Sequence, residues 1–297
     1  MTAGSPGGAG TVRAGRPRGW VFVLPLVVFL AAMFLVPLVR LLRLSFSPTD
    51  SFNAALPGWS LDKYARVFTE SYFYGSLIQT AATALLVAVL CVLLAYPAAY
   101  VLARRRPGTL RTLLFVIVIS PLLTSVVVRT YGWVVLLSGN GVVNKALVAT
   151  GLRDQPAQLL TSYPAVVVAV THVLLPFAII PLTTALGGQD HNLHRASQTL
   201  GAGPVRTFLR VTVPLSLPGV VTGALIVFAL AMGIYITPLL VGGVTQPLTG
   251  IRVYDQVSTV FDYPVAAALS FALLALTIVS TTLLAGVFRI WERRLHG

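Results

Sequence analysis

Hydrophobic positions along this chain are grouped into six long stretches that contain few or no charged residues. A helix that crosses the hydrocarbon core of a bilayer, roughly 30 Å thick, needs about 20 apolar residues. The stretches have this length, so the pattern predicts an all-α integral membrane protein with six transmembrane helices. Their approximate limits are 20–39, 75–103, 112–137, 162–186, 215–241 and 264–288.

The two ends of the chain differ from the segment between them. Residues 1–19 are mostly glycine, alanine, arginine and proline without helical periodicity, which is typical of a disordered tail. The first apolar stretch is longer than the apolar region of a signal peptide, which has about 7–15 residues, and five more stretches follow it. We therefore expect an uncleaved first helix, a single transmembrane domain at 20–290 and a short tail at 291–297.

Composition excludes an ordinary soluble domain. Hydrophobic residues make up 56% of the chain and charged residues 10%, whereas globular proteins contain about 25% charged residues. The net charge of +13 does not indicate nucleic-acid binding, because the arginines lie beside the apolar stretches rather than in a polar domain.

Lysine and arginine are distributed unequally between alternate connecting segments. The N-terminal tail, residues 104–111, residues 187–213 and the C-terminal end together carry 13 basic residues, against seven in the other segments. Cytoplasmic segments of membrane proteins carry the excess of lysine and arginine. The count therefore predicts that both termini are cytoplasmic.

Two connecting segments have the periodicity of short helices. Leu61, Tyr64 and Phe68 share one helical face, which predicts a short interfacial helix within 60–68. Apolar residues between turn residues predict another short helix within 139–151.

The segment 187–213 predicts two short helices separated by a sharp turn. Gly201-Ala202-Gly203 interrupts the first helix, because glycine readily adopts the left-handed conformation of a helix end. Pro204 suits the first position of the second helix. The amphipathic pattern of this segment alone leaves two functions open, binding of lipid headgroups and contact with a partner protein. Small or apolar positions are Leu193, Ala196, Ser197 and Leu200 on the first helix, and Val205, Phe208, Leu209 and Thr212 on the second.

Motifs for enzyme chemistry are absent from the sequence. No lysine follows a glycine, as the phosphate-binding loop of ATPases requires. His191 and His194 could share a helix face, but only Asp190 accompanies them, so we expect a solvated loop and no metal site. All eight acidic residues lie outside the six stretches, which disfavours a membrane-embedded hydrolase or transferase.

A few residues inside the apolar stretches are candidates for a pathway or gate. Arg129 and Tyr131 are expected near the outer membrane face, where Arg129 either reaches the headgroups or forms an external gate. His172 either bonds across helices or contacts a solute.

The fifth stretch contains signals of both close packing and interruption. Gly219 and Gly223 permit close approach of another helix, whereas Gly233 and Pro238 predict a kink that exposes backbone carbonyls. Because kinked helices can line pathways, the candidate pathway residues here are Met232, Tyr235 and Pro238.

Segment 187–219 resembles the EAA loop of the permease subunits of bacterial ABC importers. That pattern has Glu-Ala-Ala, three further residues, Gly, and then a hydrophobic-Pro-Leu run. Arg195 stands where the family usually has Glu, and Ser197 where it has the second Ala. The resemblance implies a coupling helix that docks into a groove on a separate ATPase subunit, without the usual contact through Glu. Matching positions are Ala196, Leu200, Gly201, Ala202, Phe208, Pro214, Leu215, Pro218 and Gly219.

The resemblance to spermidine/putrescine-type permeases extends over about residues 20–290. It implies a multi-pass protein of the bacterial inner membrane that works with a second permease subunit or a second copy of itself. It also implies ATP-binding cassette ATPase subunits and an external substrate-binding protein as partners, with no cofactor and no enzyme activity in this chain. Similar segments are 96–100, 128–133, 163–167, 175–177 and 237–243.

The solute stays open at this point between a polyamine, another small organic solute and a metal complex. Several relatives carry an acidic residue where this chain has Ile234 or Leu239, and the six stretches contain no carboxylate that could hold a cation. The alternative to an ABC importer subunit is a secondary transporter or channel that works alone.

Overall fold

The computed structural model describes residues 19–242 and 247–296. Apart from Gly19, the predicted tail at 1–19 lies outside these described residues, as do residues 243–246 and 297. The helices are α1 Gly19–Ser45, α2 Asp62–Thr69, α3 Ser71–Arg104, α4 Thr109–Leu123, α5 Val126–Leu137, α6 Val142–Ala149, α7 Tyr163–Gly187, α8 His191–Thr199, α9 Pro204–Thr207, α10 Val213–Gly233, α11 Ile236–Gly242, α12 Thr249–Ser258 and α13 Tyr263–His296.

Six helical stretches in the described part of the chain are long and apolar enough to cross a membrane, which confirms the predicted number. The last helix, α13, continues to His296 and so includes most of the predicted tail at 291–297. The candidate spans are Val23–Ser45, Ser71–Arg104, Val126–Ala149, Tyr163–Gly187, Pro204–Gly233 and Tyr263–Phe288.

The chain divides into two compact units, Met1–Arg43 and Leu44–Gly297. The described residues of the first unit belong to α1, which is apolar on all sides. Its large side chains, including Met33 and Phe34, are exposed. A helix that is apolar all round is expected to be surrounded by lipid or protein.

The prediction of one continuous helix at 112–137 is wrong. The chain leaves the helical conformation at Thr124 and Ser125, whose backbones are extended, so that α4 and α5 are separate helices. Pro121 contributes to this break, because it has no N–H to continue the hydrogen-bond ladder in the last turn of α4.

The predicted interruption of the fifth stretch is present, but it lies before the proline. Helix α10 ends at Gly233, Ile234 is extended, and α11 begins at Ile236. Pro238 is the third residue of α11. Its missing N–H costs little there, because the first four N–H groups of a helix have no acceptor inside it.

The core of the second unit lies where α3, α7 and α10 pack together. Gly219 and Gly223 of α10 lie against α7, as their spacing predicted. A Cβ atom at Gly219 would overlap that of Ala185, and one at Gly223 would lie 3.2 Å from the Cα of Ala178. These glycines therefore allow close contact of the two helix backbones.

The two predicted short helices are confirmed as α2 and α6. Buried Asn144 holds the segment around α6 together. Its side chain accepts a hydrogen bond of 2.8 Å from the Ala157 N–H and donates to the carbonyls of Ser138 and Ala157.

Candidate functional site

Helix α8 begins and ends with well-formed caps. The Asp190 side chain accepts a hydrogen bond of 2.9 Å from the Asn192 N–H at its start. At its end Gly201 has φ +80°. The Ala202 N–H donates to the Ser197 carbonyl and the Gly201 N–H to the Gln198 carbonyl, at 3.0 and 2.9 Å. This is a Schellman motif, and it confirms that the first short helix ends at Gly201.

The segment also contains two histidines. His191 and His194 belong to α8, but their side chains lie outside the described part of the chain. Among the described residues, no group of three or more potential metal ligands is found.

The second short helix packs differently from its predicted face. Helix α9 continues into a π-helical turn at Phe208–Thr212, closed by a hydrogen bond from the Val213 N–H to the Phe208 carbonyl. Because this turn is wider than an α-helical one, the positions behind it are rotated. Phe208 and Thr212 face the protein, while Val205 and Leu209 are exposed.

Phe208 anchors the segment to the helix bundle. Its ring meets the rings of Tyr96 and Tyr100 edge-on, with centroid distances of 5.7 and 5.5 Å. The hydroxyl groups of Tyr96 and Ser216 share a hydrogen bond of 2.9 Å, and the Gln189 side chain donates to the Thr212 carbonyl at 3.0 Å. The segment is thereby connected to both α3 and α10.

Four large apolar side chains of this segment have no covering in the described chain. Leu193, Leu200, Val205 and Leu209, here called the loop surface, have exposed fractions of 46, 87, 70 and 59%. Arg195 and Ala196 are exposed as well, whereas Ser197 is partly buried and shares a hydrogen bond of 2.9 Å with Thr207.

The remaining predicted residues of this segment lie in α10. Pro214 is its second residue, and Pro218 stands inside the helix, one residue before Gly219. The predicted set thus comprises exposed residues of α8, the anchor Phe208, and residues of α10, of which Gly219 lies against α7. Tyr96 and Tyr100 were missed, although their spacing of four residues places them on one helix face and could have indicated a shared contact.

The second halves of the two interrupted stretches, α5 and α11, pack against each other. The hydroxyl groups of Thr130 in α5 and Thr237 in α11 share a hydrogen bond of 3.1 Å, and both side chains are buried. We call the region around this bond, from Thr124 to Trp133 and from Met232 to Pro238, the helix junction.

Arg129 and His172 have unequal polar environments in this region. One terminal nitrogen of Arg129 donates to the Thr124 carbonyl at 3.2 Å, at the end of α4. Its Nε and Nη1 atoms are buried without a hydrogen-bond partner in the described residues. His172 accepts a hydrogen bond of 3.3 Å from the Trp133 indole, so it bonds across helices, one of its two predicted roles.

The other pathway candidates differ in accessibility. Met232 and Pro238 are buried, whereas Tyr131 and Tyr235 are 56 and 39% exposed. Tyr235 stacks on Tyr254 of α12, with ring centroids 6.2 Å apart and planes inclined by 24°. Tyr254 was missed because it lies outside the apolar stretches, and only the tertiary structure brings it to Tyr235.

Comparisons with known proteins agree with this architecture. Residues 95–297 match the family described as binding-protein-dependent transport system inner membrane component. The chain is 33% identical to the spermidine/putrescine transport system permease protein PotB of Salmonella typhimurium, with 85% of this chain and 88% of that protein covered. It is 31% identical to the inner membrane ABC transporter permease protein YdcU of Escherichia coli, with 78 and 77% covered.

A solved structure supports the same fold. The crystal structure of a bacterial alginate ABC transporter, in complex with a periplasmic protein that holds an alginate pentasaccharide, contains a similar chain. The TM-score is 0.72 at 18% identity, and 93% of this chain and 95% of that chain are covered. The chain therefore belongs to the family of binding-protein-dependent transport system inner membrane components and is a multi-pass protein of the inner membrane.

Proposed function

We propose that this chain is the permease subunit of an ABC importer and couples ATP hydrolysis by partner subunits to inward movement of a small solute. The observation that carries the proposal is the loop surface, which is exposed although its segment is anchored to the bundle. Exposed apolar side chains grouped on one surface are typical of sites that bind other proteins. The family relationship favours an ATPase subunit as this partner, with the loop surface docked into a groove on it.

The arginine count supports an orientation with both termini and the loop surface in the cytoplasm. The importer would further contain a second permease subunit, or a second copy of this one, and an external substrate-binding protein. The alginate transporter in complex with its periplasmic protein supports that last partner. Because Arg195 replaces the usual Glu, docking would depend on the apolar side chains of the loop surface.

Two contacts would transmit movement of the ATPase subunits to the membrane helices. Phe208 lies against Tyr96 and Tyr100 of α3, and Gly219 lies directly against Ala185 of α7. Closely packed elements move as bodies rather than deform. Displacement of α8 and α9 would therefore shift α3, α7 and α10 together and change access to the helix junction.

The proposed solute is a small organic cation of the polyamine class. PotB, which is similar over most of its length, is named as a spermidine/putrescine permease. Calorimetry on the cognate external binding protein tests this assignment. Saturable binding of spermidine or putrescine at micromolar concentrations supports it, and absence of such binding contradicts it.

Leu200→Asp tests the docking function directly. Leu200 is 87% exposed, so the substitution should not disturb folding, but it adds a charge to the loop surface. We expect loss of co-purification with the ATPase subunits and loss of ATP-dependent uptake at equal membrane abundance. Leu152→Asp is the matched control, since Leu152 is 73% exposed and follows α6, outside the segment that carries the loop surface.

Two results would contradict the proposal. One is normal ATPase co-purification and uptake by the Leu200→Asp variant. The other is solute transport by the purified chain alone in vesicles, which would support a self-sufficient secondary transporter or channel.

A further inference from the structure

A cavity of about 380 Å³ lies beside the interruption between α10 and α11. Its lining includes Gly233, Tyr235, Gly250, Tyr254 and Ser270. Gly250 is required for the approach of Tyr235, because a Cβ atom at position 250 would lie 2.7 Å from the Tyr235 Cβ. This volume is within the range of cavities that hold small organic ligands, roughly 300–1,000 Å³.

The end of α10, where Gly233 lines this cavity, contributes backbone carbonyls. No described residue donates a hydrogen bond to the carbonyls of Met232, Gly233 or Ile234. The last carbonyls of a helix also carry the negative end of its dipole. The end of α10, a helix of 21 residues, therefore favours a positive charge.

Two aromatic rings complete the same cavity. Tyr235 and Tyr254 are 39 and 44% exposed, so each ring keeps one accessible region despite their stacking. The negative face of an aromatic ring attracts ammonium groups. Arg252 precedes Tyr254 by two residues, so the two side chains leave α12 in directions about 200° apart around the helix axis. The Arg252 guanidinium stacks over the ring of Tyr72, 4.0 Å from its centroid.

From these features we infer that the cavity binds an ammonium group of a transported organic cation, held by the Tyr235 and Tyr254 rings and by the carbonyls at the end of α10 to which no described residue donates. The inference rests on the proposed function and adds the site and the chemistry of recognition. It also explains how a chain without an acidic residue in its membrane helices could hold a cation, because rings and carbonyls replace the missing carboxylate.

Equilibrium binding of radiolabelled putrescine to the complete purified transporter, without the external binding protein, tests this site. We expect Tyr254→Leu to weaken binding about 5- to 30-fold, whereas Tyr254→Phe, which keeps the ring, should stay within about threefold of the wild type. Gly250→Ala should weaken binding as well, because it displaces Tyr235. Tyr74→Leu is the control, since Tyr74 has a similar exposed fraction of 40% and lies away from the cavity.

The outcomes separate this inference from the proposed function. Unchanged affinity in Tyr254→Leu, equal competition by uncharged 1,4-butanediol, or no saturable putrescine binding by the wild type would overturn the inference. Uptake by the complete importer with ATP and its binding protein would still support the proposed function in each of these cases. A complete importer that transports nothing would instead contradict the proposed function.

Discussion

The loop surface and the helix junction differ in what their residues lack. On the loop surface, large apolar side chains are not covered by any described residue, while α8 is capped at both ends. At the helix junction, two nitrogens of Arg129 and three backbone carbonyls lack partners within the described residues. Uncovered apolar area favours a protein partner, whereas unpaired polar groups favour a polar ligand or a change of conformation.

The comparison also shows why the two regions can work together. Phe208 and Gly219 connect the segment of the loop surface to α3, α7 and α10, and α10 leads directly to the helix junction. The connection is made of ring contacts and close backbone packing, which do not depend on charge. The interruption after Gly233 then separates α11, which packs against α5 and α7, from α10.

The largest effect is expected when the connection itself is broken. Gly219→Val would force side-chain atoms into the space occupied by Ala185 and the Pro181 carbonyl. Overpacking of a close contact costs about 1–3 kcal/mol and occasionally more, so we expect lower membrane abundance and a melting temperature reduced by several degrees. Gly286→Val is the control, because no atom lies within 4 Å of a Cβ there. Equal thermal stability of the two variants would contradict close packing at Gly219.

A substitution in the turn after α8 should affect coupling rather than folding. A side chain at Gly201 would meet no atom within 4 Å, but φ +80° is strained for other residues by about 1–2 kcal/mol. We expect Gly201→Asp to insert normally and to lose ATPase-coupled uptake.

Gly151→Asp is the matched control for this variant. Gly151 has φ +70° and is equally free of neighbouring atoms, but it follows α6, away from the loop surface. Both variants carry the same strain, so only Gly201→Asp should lose uptake. Similar uptake by the two, measured per assembled transporter, would show that the turn has no special part in coupling.

Weakening the aromatic anchor should uncouple the two regions partially. Phe208→Leu keeps an apolar side chain but removes two edge-on ring contacts, each of about 0.5–1.5 kcal/mol. We expect normal co-purification with the ATPase and uptake reduced several-fold relative to ATP hydrolysed. An unchanged ratio of solute transported to ATP hydrolysed would mean that movement reaches the bundle by another route.

The smallest effect is expected inside the bundle. Trp133→Phe retains the ring beside His172 but removes the indole N–H that donates to it, which costs about 0.5–1.5 kcal/mol. We expect a slightly lower melting temperature. Trp59→Phe, at a position 76% exposed, should leave it unchanged. If both variants melt like the wild type, the hydrogen bond does not stabilise the helix junction.

Features that depend on neighbouring residues were predictable from the sequence. The number of membrane helices follows from runs of apolar residues, since each run alone satisfies its backbone and matches the bilayer. The end of α8 just before Gly201 and the start of α9 at Pro204 follow from conformational preferences of single residues. Gly219 and Gly223 likewise face the same neighbouring helix because they are spaced four residues apart in α10.

Features that depend on distant residues required the tertiary structure. The extended backbone at Thr124 and Ser125 lies in an apolar run that reads as one helix, and its polar groups are tolerated only where other helices surround them. Tyr235 and Tyr254 belong to different elements of the chain, and only the folded structure brings their rings together. Sequence periodicity describes one helix at a time, whereas a cavity is formed by the atoms of several, so the site beside α10 became visible only once they were packed together.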